Sequence, residues 1–306
     1  MKKKYKILIV GGTGFIGYHL AKNLRKKYIV TSLSTKKPKK IRFLKNIKYL
    51  TCDISNKSML KKKLSDEYHY IVNLGGYVDH SNKSKTYKSH YIGCKNLVNI
   101  FLRKKYLKKF IQVGSSLEYG SQKSPQKESL SGNSKSNYSK SKSLASKYLL
   151  KTFKKHAFPV TIIRLYQIFG PKQDINRFLP IIICSCLKNK RFPCSNGKQY
   201  RDFLSVKDLV LAIKKILNNS KTNGEILNIG SGKPEKIKKI ITYIKNKIKR
   251  GNPQFGKIKL RKDESIKTFP SIDKAKKMIK WSPKFNFYNQ IDKLIIYYKK
   301  NLIFHT

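Results

Sequence analysis

The feature that most constrains this 306-residue chain is a short apolar run ending in three spaced glycines near its beginning. Residues 6–10 read Lys-Ile-Leu-Ile-Val, and Gly11, Gly14 and Gly17 follow. Glycine lets the backbone turn tightly and approach a pyrophosphate, while the amides and dipole of a following helix attract negative charge. The pattern predicts a strand, a turn and a helix that bind a nucleotide cofactor, with a turn that holds no ligand as the alternative. The cofactor-binding residues predicted here are Gly11, Gly14, Phe15, Ile16 and Gly17.

Strand patterns alternate with helix patterns through the first half of the chain. Strands are predicted at 6–10, 28–33, 47–51, 69–74, 109–114 and 159–164, and helices near 16–26, 56–65, 84–105 and 138–155. This alternation predicts an α/β fold with a doubly wound parallel (Rossmann) sheet. Ligands bind such sheets at the carboxyl ends of the strands, so we expect the chemistry to lie there.

The regular alternation ends beyond residues 170–171. A helix near 178–190, a helix at 206–217 and a strand at 225–229 follow in less regular order. We predict a dinucleotide-binding domain over 1–170 and a smaller substrate-binding domain over 171–306. If the strand near 225–229 returns to the main sheet, the two domains are interleaved.

Charge and cysteine content limit the possible partners and location. The net charge of +55 comes mostly from lysines spread along the whole chain, which predicts solvated faces and general attraction of polyanions, with no specific nucleic-acid site. Five cysteines without paired metal spacing predict free thiols in a reducing cytoplasm and no metal site. The longest apolar run, 178–187, is about half as long as a membrane span. We expect a cytoplasmic protein without a membrane span.

A tyrosine and a lysine four residues apart, Tyr138 and Lys142, are predicted on one helix face. Four other Tyr/Lys pairs share this spacing, so position decides among them. Only Tyr138 follows a strand end that carries hydroxyls, where Ser115 lies, and a serine there can converge with it on one carbonyl oxygen. We predict that Ser115, Tyr138 and Lys142 are catalytic, and that the ammonium and the charge of the cofactor lower the tyrosine pKa.

With these motifs together, the chain resembles the extended short-chain dehydrogenase/reductase family, which includes nucleotide-sugar epimerases, dehydratases and ketoreductases. The resemblance covers nearly the whole length and implies a homodimer formed through the helices near 84–105 and 138–155. The resemblance implies that the cofactor is bound by the glycine turn, by Asp53 and Ile54 beside the adenine, and by Leu74 and Gly75 after the fourth strand. It also implies a catalytic role for Ser115, Tyr138 and Lys142, and the lysine binds cofactor as well. Four later segments match motifs of the family: residues 164–171, 197–208, 228–232 and 281–283.

The resemblance also implies a nucleotide-sugar substrate. Arg201 and Arg261 are expected to clamp its diphosphate, with Asn176 nearby and Glu264 on a ribose. Guanidinium groups suit this role because they bind phosphate oxygens through two parallel hydrogen bonds. The chain departs from the family pattern at His90 and Gln167, where Asn is usual, and at residues 75–76, where glycines replace alanines.

The residues after Ser115 narrow the reaction. Family dehydratases carry an acid–base pair at the next two positions, where this chain has Ser116 and Leu117, and leucine cannot move protons. Glu118 is expected to point to the other face of an extended segment and to be structural. The reaction that these residues leave open is hydride transfer at C4 of the sugar.

The end of the second strand bears on the cofactor. NAD-specific relatives carry an Asp there, whereas this chain has Ser34, Thr35 and Lys36, which suit a 2′-phosphate. We therefore favour NADP(H), with NAD(H) as the alternative, and expect a reductase of a nucleotide-linked 4-keto-6-deoxy sugar. A looser similarity to 4-ketoreductases of the CDP-abequose synthase type agrees with this. The alternatives are an NAD-dependent C4 epimerase and, in another class, a non-catalytic dinucleotide-binding protein with affinity for RNA or membranes.

Overall fold

The computed structural model describes residues 4–77, 81–260 and 264–301. The strands in chain order are β1 (Lys6–Val10), β2 (Ile29–Ser34), β3 (Lys48–Thr51), β4 (Tyr70–Asn73), β5 (Lys109–Ser115), β6 (Val160–Leu165), β7 (Gln167–Phe169), β8 (Arg191–Pro193), β9 (Tyr200–Ser205), β10 (Glu225–Ile229), β11 (Pro234–Lys236), β12 (Asn252–Gln254) and β13 (Lys267–Thr268). The helices are α1 (Phe15–Leu24), α2 (Lys57–Lys63), α3 (Lys83–Tyr87), α4 (Gly93–Phe101), α5 (Asn137–His156), α6 (Phe178–Leu187), α7 (Val206–Leu217), α8 (Ile237–Ile248), α9 (Asp273–Ile279) and α10 (Phe287–Asn301).

Seven parallel strands form the main sheet, in the order β10-β6-β5-β4-β1-β2-β3. The order reverses between β1 and β4, so the sheet is doubly wound and a crevice opens at the carboxyl ends of these two strands. The predicted α/β class and parallel Rossmann sheet are confirmed. Alternate residues of β1 explain the layers: Ile7 and Ile9 face the cluster that includes α1 and α7, and Leu8 and Val10 face the cluster that includes α4 and α5.

Strand β10 joins this sheet although it comes after residue 170. It pairs in parallel with β6, with Ile226 opposite Ile162 and Leu227 opposite Ile163. Helix α7, which precedes it, packs on α1 and β5. The chain therefore returns to the main sheet at residues 225–229, the predicted position, while the division at residue 170 stays a prediction.

The smaller part of the structure has its own apolar core. Strand β9 pairs with β7, β11 and β13, and helices α6, α8 and α10 pack beside it. Its core includes Ile183, Phe203, Ile240 and Leu294, all buried. None of the helices in the described part of the chain combines the length and apolar character that a bilayer crossing requires.

The helix predicted over 84–105 is interrupted. Residues 88–92 form a π-helical turn between α3 and α4, and α4 ends at Phe101. Turns of this kind insert a residue into a helix and are frequent at functional sites. The turn matters here because it carries His90 toward the predicted catalytic tyrosine.

Candidate active site

The glycine turn between β1 and α1 is built by backbone contacts. Gly11 has φ of +76°, a conformation that L side chains rarely adopt, and its N–H donates to Leu33 O at 2.7 Å. Gly14 is the N-cap of α1, and its N–H donates to Gly11 O at 3.1 Å. A Cβ added at Gly17 would lie 2.4 Å from Gly11 O and 2.5 Å from Gly12 Cα. Gly17 is therefore required for packing of helix against turn.

A cavity of about 480 Å³ opens beside this turn at the ends of β1, β2 and β4. Eight of the residues predicted to bind cofactor line it: Gly11, Gly14, Ser34, Thr35, Asp53, Ile54, Leu74 and Gly75. The other five, Phe15, Ile16, Gly17, Lys36 and Lys142, lie outside the lining.

Helix geometry explains most of these exceptions. Phe15 and Ile16 pack against the core cluster beneath α1, and Gly17 is buried against the turn. Lys36 is exposed two residues beyond the end of β2, and Lys142 is buried on α5. The first turn of α1 directs Phe15, Ile16 and Gly17 toward the core, and their contact with the cofactor stays a prediction.

Several cavity residues were not predicted. Lys85 and Lys88 line its wall together with Thr13, Tyr77 and Ser89. The lysines lie three residues apart around the start of the helical segment after β4, so helical spacing alone could have placed them on one side. Two cations on the wall, next to helix α1 with its positive amino end, suit the negative charge of a dinucleotide.

Polar contacts at the rim bear on a cofactor ribose. The Asp53 carboxylate accepts a hydrogen bond from Ser55 N at 2.8 Å, and the Ser34 hydroxyl accepts one from Thr13 N at 3.2 Å. Ser34, at the end of β2, is neutral and small. The residues that line the cavity fit a dinucleotide, whose phosphates the backbone of the glycine turn can approach closely.

Ser115, Tyr138 and Lys142 come together where β5 ends and α5 begins. Ser115 ends β5, and Tyr138 is the second residue of α5, whose N-cap is Ser136. The Tyr138 and Ser115 side chains share a hydrogen bond. Lys142 Nζ lies 5.9 Å from the centre of the Tyr138 ring and donates to Val113 O at 2.7 Å. The three predicted catalytic side chains thus form one cluster.

The electrostatics of Tyr138 differ from the prediction. Burial raises the pKa of the phenol and the nearby Glu118 adds to this, while the hydrogen bond to Ser115 and the charge of Arg177 act in the opposite direction. Burial also lowers the pKa of Lys142 to about 8. The protein groups alone therefore do not lower the tyrosine pKa as expected, because burial outweighs the charges around the phenol, while the lowering expected from the charge of the cofactor stays a prediction. Tyr138 is therefore a protonated phenol at neutral pH.

His90 packs edge-on against Tyr138, with ring centres 5.0 Å apart. Its Nε2 lies 3.2 Å from Tyr77 O. A Cβ at Gly76 would stand 1.9 Å from His90 Cε1. His90 and Gly76, which both depart from the family pattern, thus depend on each other. The His90 imidazole occupies the space that the side chain of a residue larger than glycine at position 76 would need.

A second cavity, of about 570 Å³, lies in the smaller part of the structure and holds two of the predicted substrate residues. Arg201 and Glu264 both line it, and their side chains form an ion pair. In this structure the Glu264 carboxylate holds the Arg201 guanidinium, and its expected contact with a ribose stays a prediction. Gln167 also lines the cavity, among apolar residues such as Phe178. Asn176 is exposed just before α6 and outside the lining, and Arg261 lies outside the described residues.

Known proteins resemble this chain over most of its length. The sequence model described as the NAD dependent epimerase/dehydratase family matches residues 7–230. The chain belongs to that family. The sequence-based identification as an extended short-chain dehydrogenase/reductase is confirmed.

Two curated members of the NAD dependent epimerase/dehydratase family illustrate the similarity. A dTDP-D-glucose 4,6-dehydratase of Dictyostelium discoideum is 31% identical over 258 residues, which cover 74% of this chain and 58% of that protein. CDP-abequose synthase of Salmonella typhimurium is 31% identical over 147 residues, which cover 46% of this chain and 48% of that protein. The matched part is thus about half the length of these relatives.

Solved structures of the family establish the same fold. A UDP-glucose 4-epimerase of Thermotoga maritima, with UDP-glucose, superposes with a TM-score of 0.90 at 23% identity, covering 97% of this chain and 99% of that one. A dTDP-glucose 4,6-dehydratase of Bacillus anthracis, in complex with NAD, gives 0.87 at 23% identity, covering 97% of each chain.

Proposed function

We propose that this family member is an NADPH-dependent reductase of a nucleotide-linked 4-keto-6-deoxy sugar. The observation that carries the proposal is the position of the Tyr138 phenol, which shares a hydrogen bond with Ser115 at the end of β5 and has Lys142 beside its ring. A carbonyl reduction needs a proton donor beside the oxygen, and a phenol carries its proton at neutral pH.

The residues next to Ser115 favour reduction over dehydration. Leu117 is half exposed and apolar, and Ser116 has no carboxylate. Glu118, the remaining acidic residue of this turn, is buried in an ion pair with Arg164. A 4,6-dehydration requires an acid and a base on the sugar, and these side chains supply neither.

Each member of the cluster has a role in the proposed reaction. The cofactor, when bound, supplies a hydride to C4 of the sugar. The Ser115 hydroxyl donates a hydrogen bond to the C4 carbonyl oxygen and orients it, and the Tyr138 phenol transfers its proton to that oxygen as C4 is reduced. Lys142, held by Val113 O, stabilises the tyrosinate that results. The product carries a C4 hydroxyl, and Tyr138 regains its proton from solvent.

Substrate binding is proposed in the second cavity. Arg201 faces it with its guanidinium already oriented by Glu264 and by the hydrogen bond to Tyr200 O at 2.8 Å. A guanidinium with fixed orientation suits a diphosphate, and the apolar walls suit the faces of a base. Arg261 and Asn176 remain proposed partners of the same diphosphate, and the homodimer stays a prediction.

A C4 epimerase is the second candidate. The family resemblance extends to epimerases, since the structure of the T. maritima enzyme shares this fold over nearly the whole chain. Epimerisation uses the same three side chains, and the hydride removed from C4 returns to the opposite face. Such an enzyme must keep its dinucleotide between turnovers, whereas a reductase must exchange it.

The test uses the purified protein and measures its dinucleotide content, then its activity. We expect protein that purifies without dinucleotide and oxidises NADPH when a CDP-linked or dTDP-linked 4-keto-6-deoxy sugar is added. Absence of the keto sugar gives the background rate. Retained NAD, with interconversion of C4 epimers and no net NADPH oxidation, would favour the epimerase and contradict the reductase.

NADP(H) is proposed over NAD(H) because the end of β2 lacks an acidic residue. Solved relatives bind NAD, among them a UDP-glucuronic acid 4-epimerase of Bacillus cereus. We expect Ser34→Asp to weaken NADPH binding about tenfold or more, because a carboxylate at this site repels a 2′-phosphate and accepts a ribose hydroxyl instead. NADH binding should hold or improve.

The measurement is calorimetric titration of both dinucleotides into wild type, Ser34→Asp and Ser34→Ala. The alanine variant removes the same hydroxyl and its hydrogen bond to Thr13 N without adding charge, so it separates the two effects. Equal affinity of wild type for NADPH and NADH, unchanged by the carboxylate, would show that this strand end does not select the cofactor.

A further inference from the structure

Glu118 lies directly beneath the catalytic cluster and is almost completely buried, with 1% of its surface exposed. The segment after Ser115 is a tight 3-10 turn, Ser116–Tyr119, and this turn folds Glu118 back under β5. The expectation of an extended segment with Glu118 on its far face was therefore wrong. The turn therefore places the Glu118 carboxylate beneath the cluster, a position that the sequence did not predict for it.

The Glu118 carboxylate joins the two elements that carry the catalytic side chains. One oxygen accepts a hydrogen bond from Ser115 N at 2.8 Å, at the end of β5. The other accepts one from Ser146 Oγ at 2.8 Å, one helical turn beyond Lys142 on α5. A Cβ at Gly114 would lie 2.4 Å from Glu118 Oε1, so the backbone of β5 leaves room for this carboxylate.

Arg164 is the ion-pair partner of the Glu118 carboxylate. Its Nε and one terminal nitrogen each lie 3.3 Å from Glu118 Oε2, and only 8% of the Arg164 side chain is exposed. The guanidinium is held in turn over the ring of Tyr119, 4.3 Å from its centre. A buried ion pair gives little net stability, because the cost of desolvating both charges offsets their attraction. Its position under the cluster suggests another purpose.

We propose that Glu118 is a positioning residue for the proposed hydride chemistry: with Arg164 as its counterion, it fixes the Ser115 hydroxyl relative to Tyr138 and Lys142. Ser115 and Tyr138 must meet on a single carbonyl oxygen although one lies on a strand and the other on a helix. Glu118 bonds to both elements at once. Loss of this link lets the two donors separate, and a misplacement of about 1 Å costs about 100-fold in rate.

The charge of Glu118 also reaches the titrating groups. Around the phenol of Tyr138 are Lys142 on its own helix, Glu118 on the turn after β5, Arg177 before α6 and His90 on the turn before α4. The negative charge of Glu118 adds to the raised pKa of Tyr138 and offsets part of the lowering that burial causes in the pKa of Lys142. It therefore helps to keep the phenol protonated.

The test compares Glu118→Gln with two serine variants of α5. Glutamine still accepts from Ser115 N but removes the charge. Ser146→Ala removes only the link to the helix, and Ser141→Ala is the matched control, since Ser141 is equally buried but bonds within its own helix to Asn137 O. The readouts are kcat and KM with the substrate that wild type turns over, the pH profile of kcat, dinucleotide affinity and melting temperature.

We expect Glu118→Gln to lower kcat about tenfold or more while KM and dinucleotide affinity stay within about twofold. The alkaline limb of its kcat profile should move to lower pH, because Tyr138 loses a negative neighbour. Ser146→Ala should lower kcat several-fold without this shift, and Ser141→Ala should behave as wild type. An unchanged kcat in Glu118→Gln, or a loss explained by unfolding with the limb in place, would overturn the proposal.

The experiment separates this proposal from the proposed function. If wild type turns over no keto-sugar nucleotide, the reductase assignment fails, and the Tyr138 phenol is then titrated directly by ultraviolet difference spectroscopy against Tyr138→Phe. Glu118→Gln should shift that titration to lower pH. An unshifted titration would overturn the role of Glu118 whatever the reaction.

Discussion

Tyr138→Phe is expected to lower kcat by about a thousandfold, because it removes the proposed proton donor and leaves the ring in place. The phenol lies beside Ser115 and against the edge of His90, so phenylalanine keeps the packing of this corner. Dinucleotide affinity should change less than about threefold, since Tyr138 lies outside the lining of the cofactor cavity. Steady-state rates and calorimetric titration measure the two quantities.

Tyr91→Phe is the matched control for this substitution. Tyr91 also has a lysine four residues later, Lys95, and its ring lies beneath that ammonium. It should keep wild-type kcat, because it is not part of the Ser115 cluster. Near-normal turnover by Tyr138→Phe would show that the catalytic assignment is wrong, whichever reaction the enzyme catalyses.

Gly17→Ala is expected to weaken dinucleotide binding about 100-fold and to lower the melting temperature. The added Cβ would meet Gly11 O and Gly12 Cα, which are backbone atoms and cannot rotate away. Overpacking of this kind costs about 1–3 kcal/mol, and the least costly relief is to open the turn that cradles the phosphates. At about 1.4 kcal/mol per tenfold, the upper end corresponds to about 100-fold.

Lys22→Ala, on the exposed face of the same helix, is the control and should leave both quantities unchanged within about twofold. Calorimetry gives the affinity and thermal unfolding gives the stability. Binding of the dinucleotide to Gly17→Ala with wild-type affinity would mean that the turn is not the cradle, and the proposed cofactor site would then be abandoned.

Local patterns predicted the main sheet and the proximity of Ser115, Tyr138 and Lys142 well. Strand β1 and helix α7 have the predicted bounds, because a continuous apolar run and an amphipathic period each leave a local signal. The meeting of Ser115 with Tyr138 followed from parallel topology, which gathers strand ends at one edge.

The missed features depend on contacts that no local pattern records. The pairing of Arg201 with Glu264 joins residues 63 positions apart. The raised pKa of Tyr138 comes from burial, which only the packed structure fixes. The turn that buries Glu118 is four residues long, too short for a period of two or of 3.6 to reveal it.

The position of strand β10 has a consequence for how the chain reaches its folded state. Strand β6 lies between β5 and β10, so until residues 225–229 have been made, β6 is an open edge. Unpaired edges of this kind invite association with other chains. The cofactor-binding sheet is therefore completed only after much of the smaller part has been synthesised. Folding of the main sheet must wait for that part of the chain.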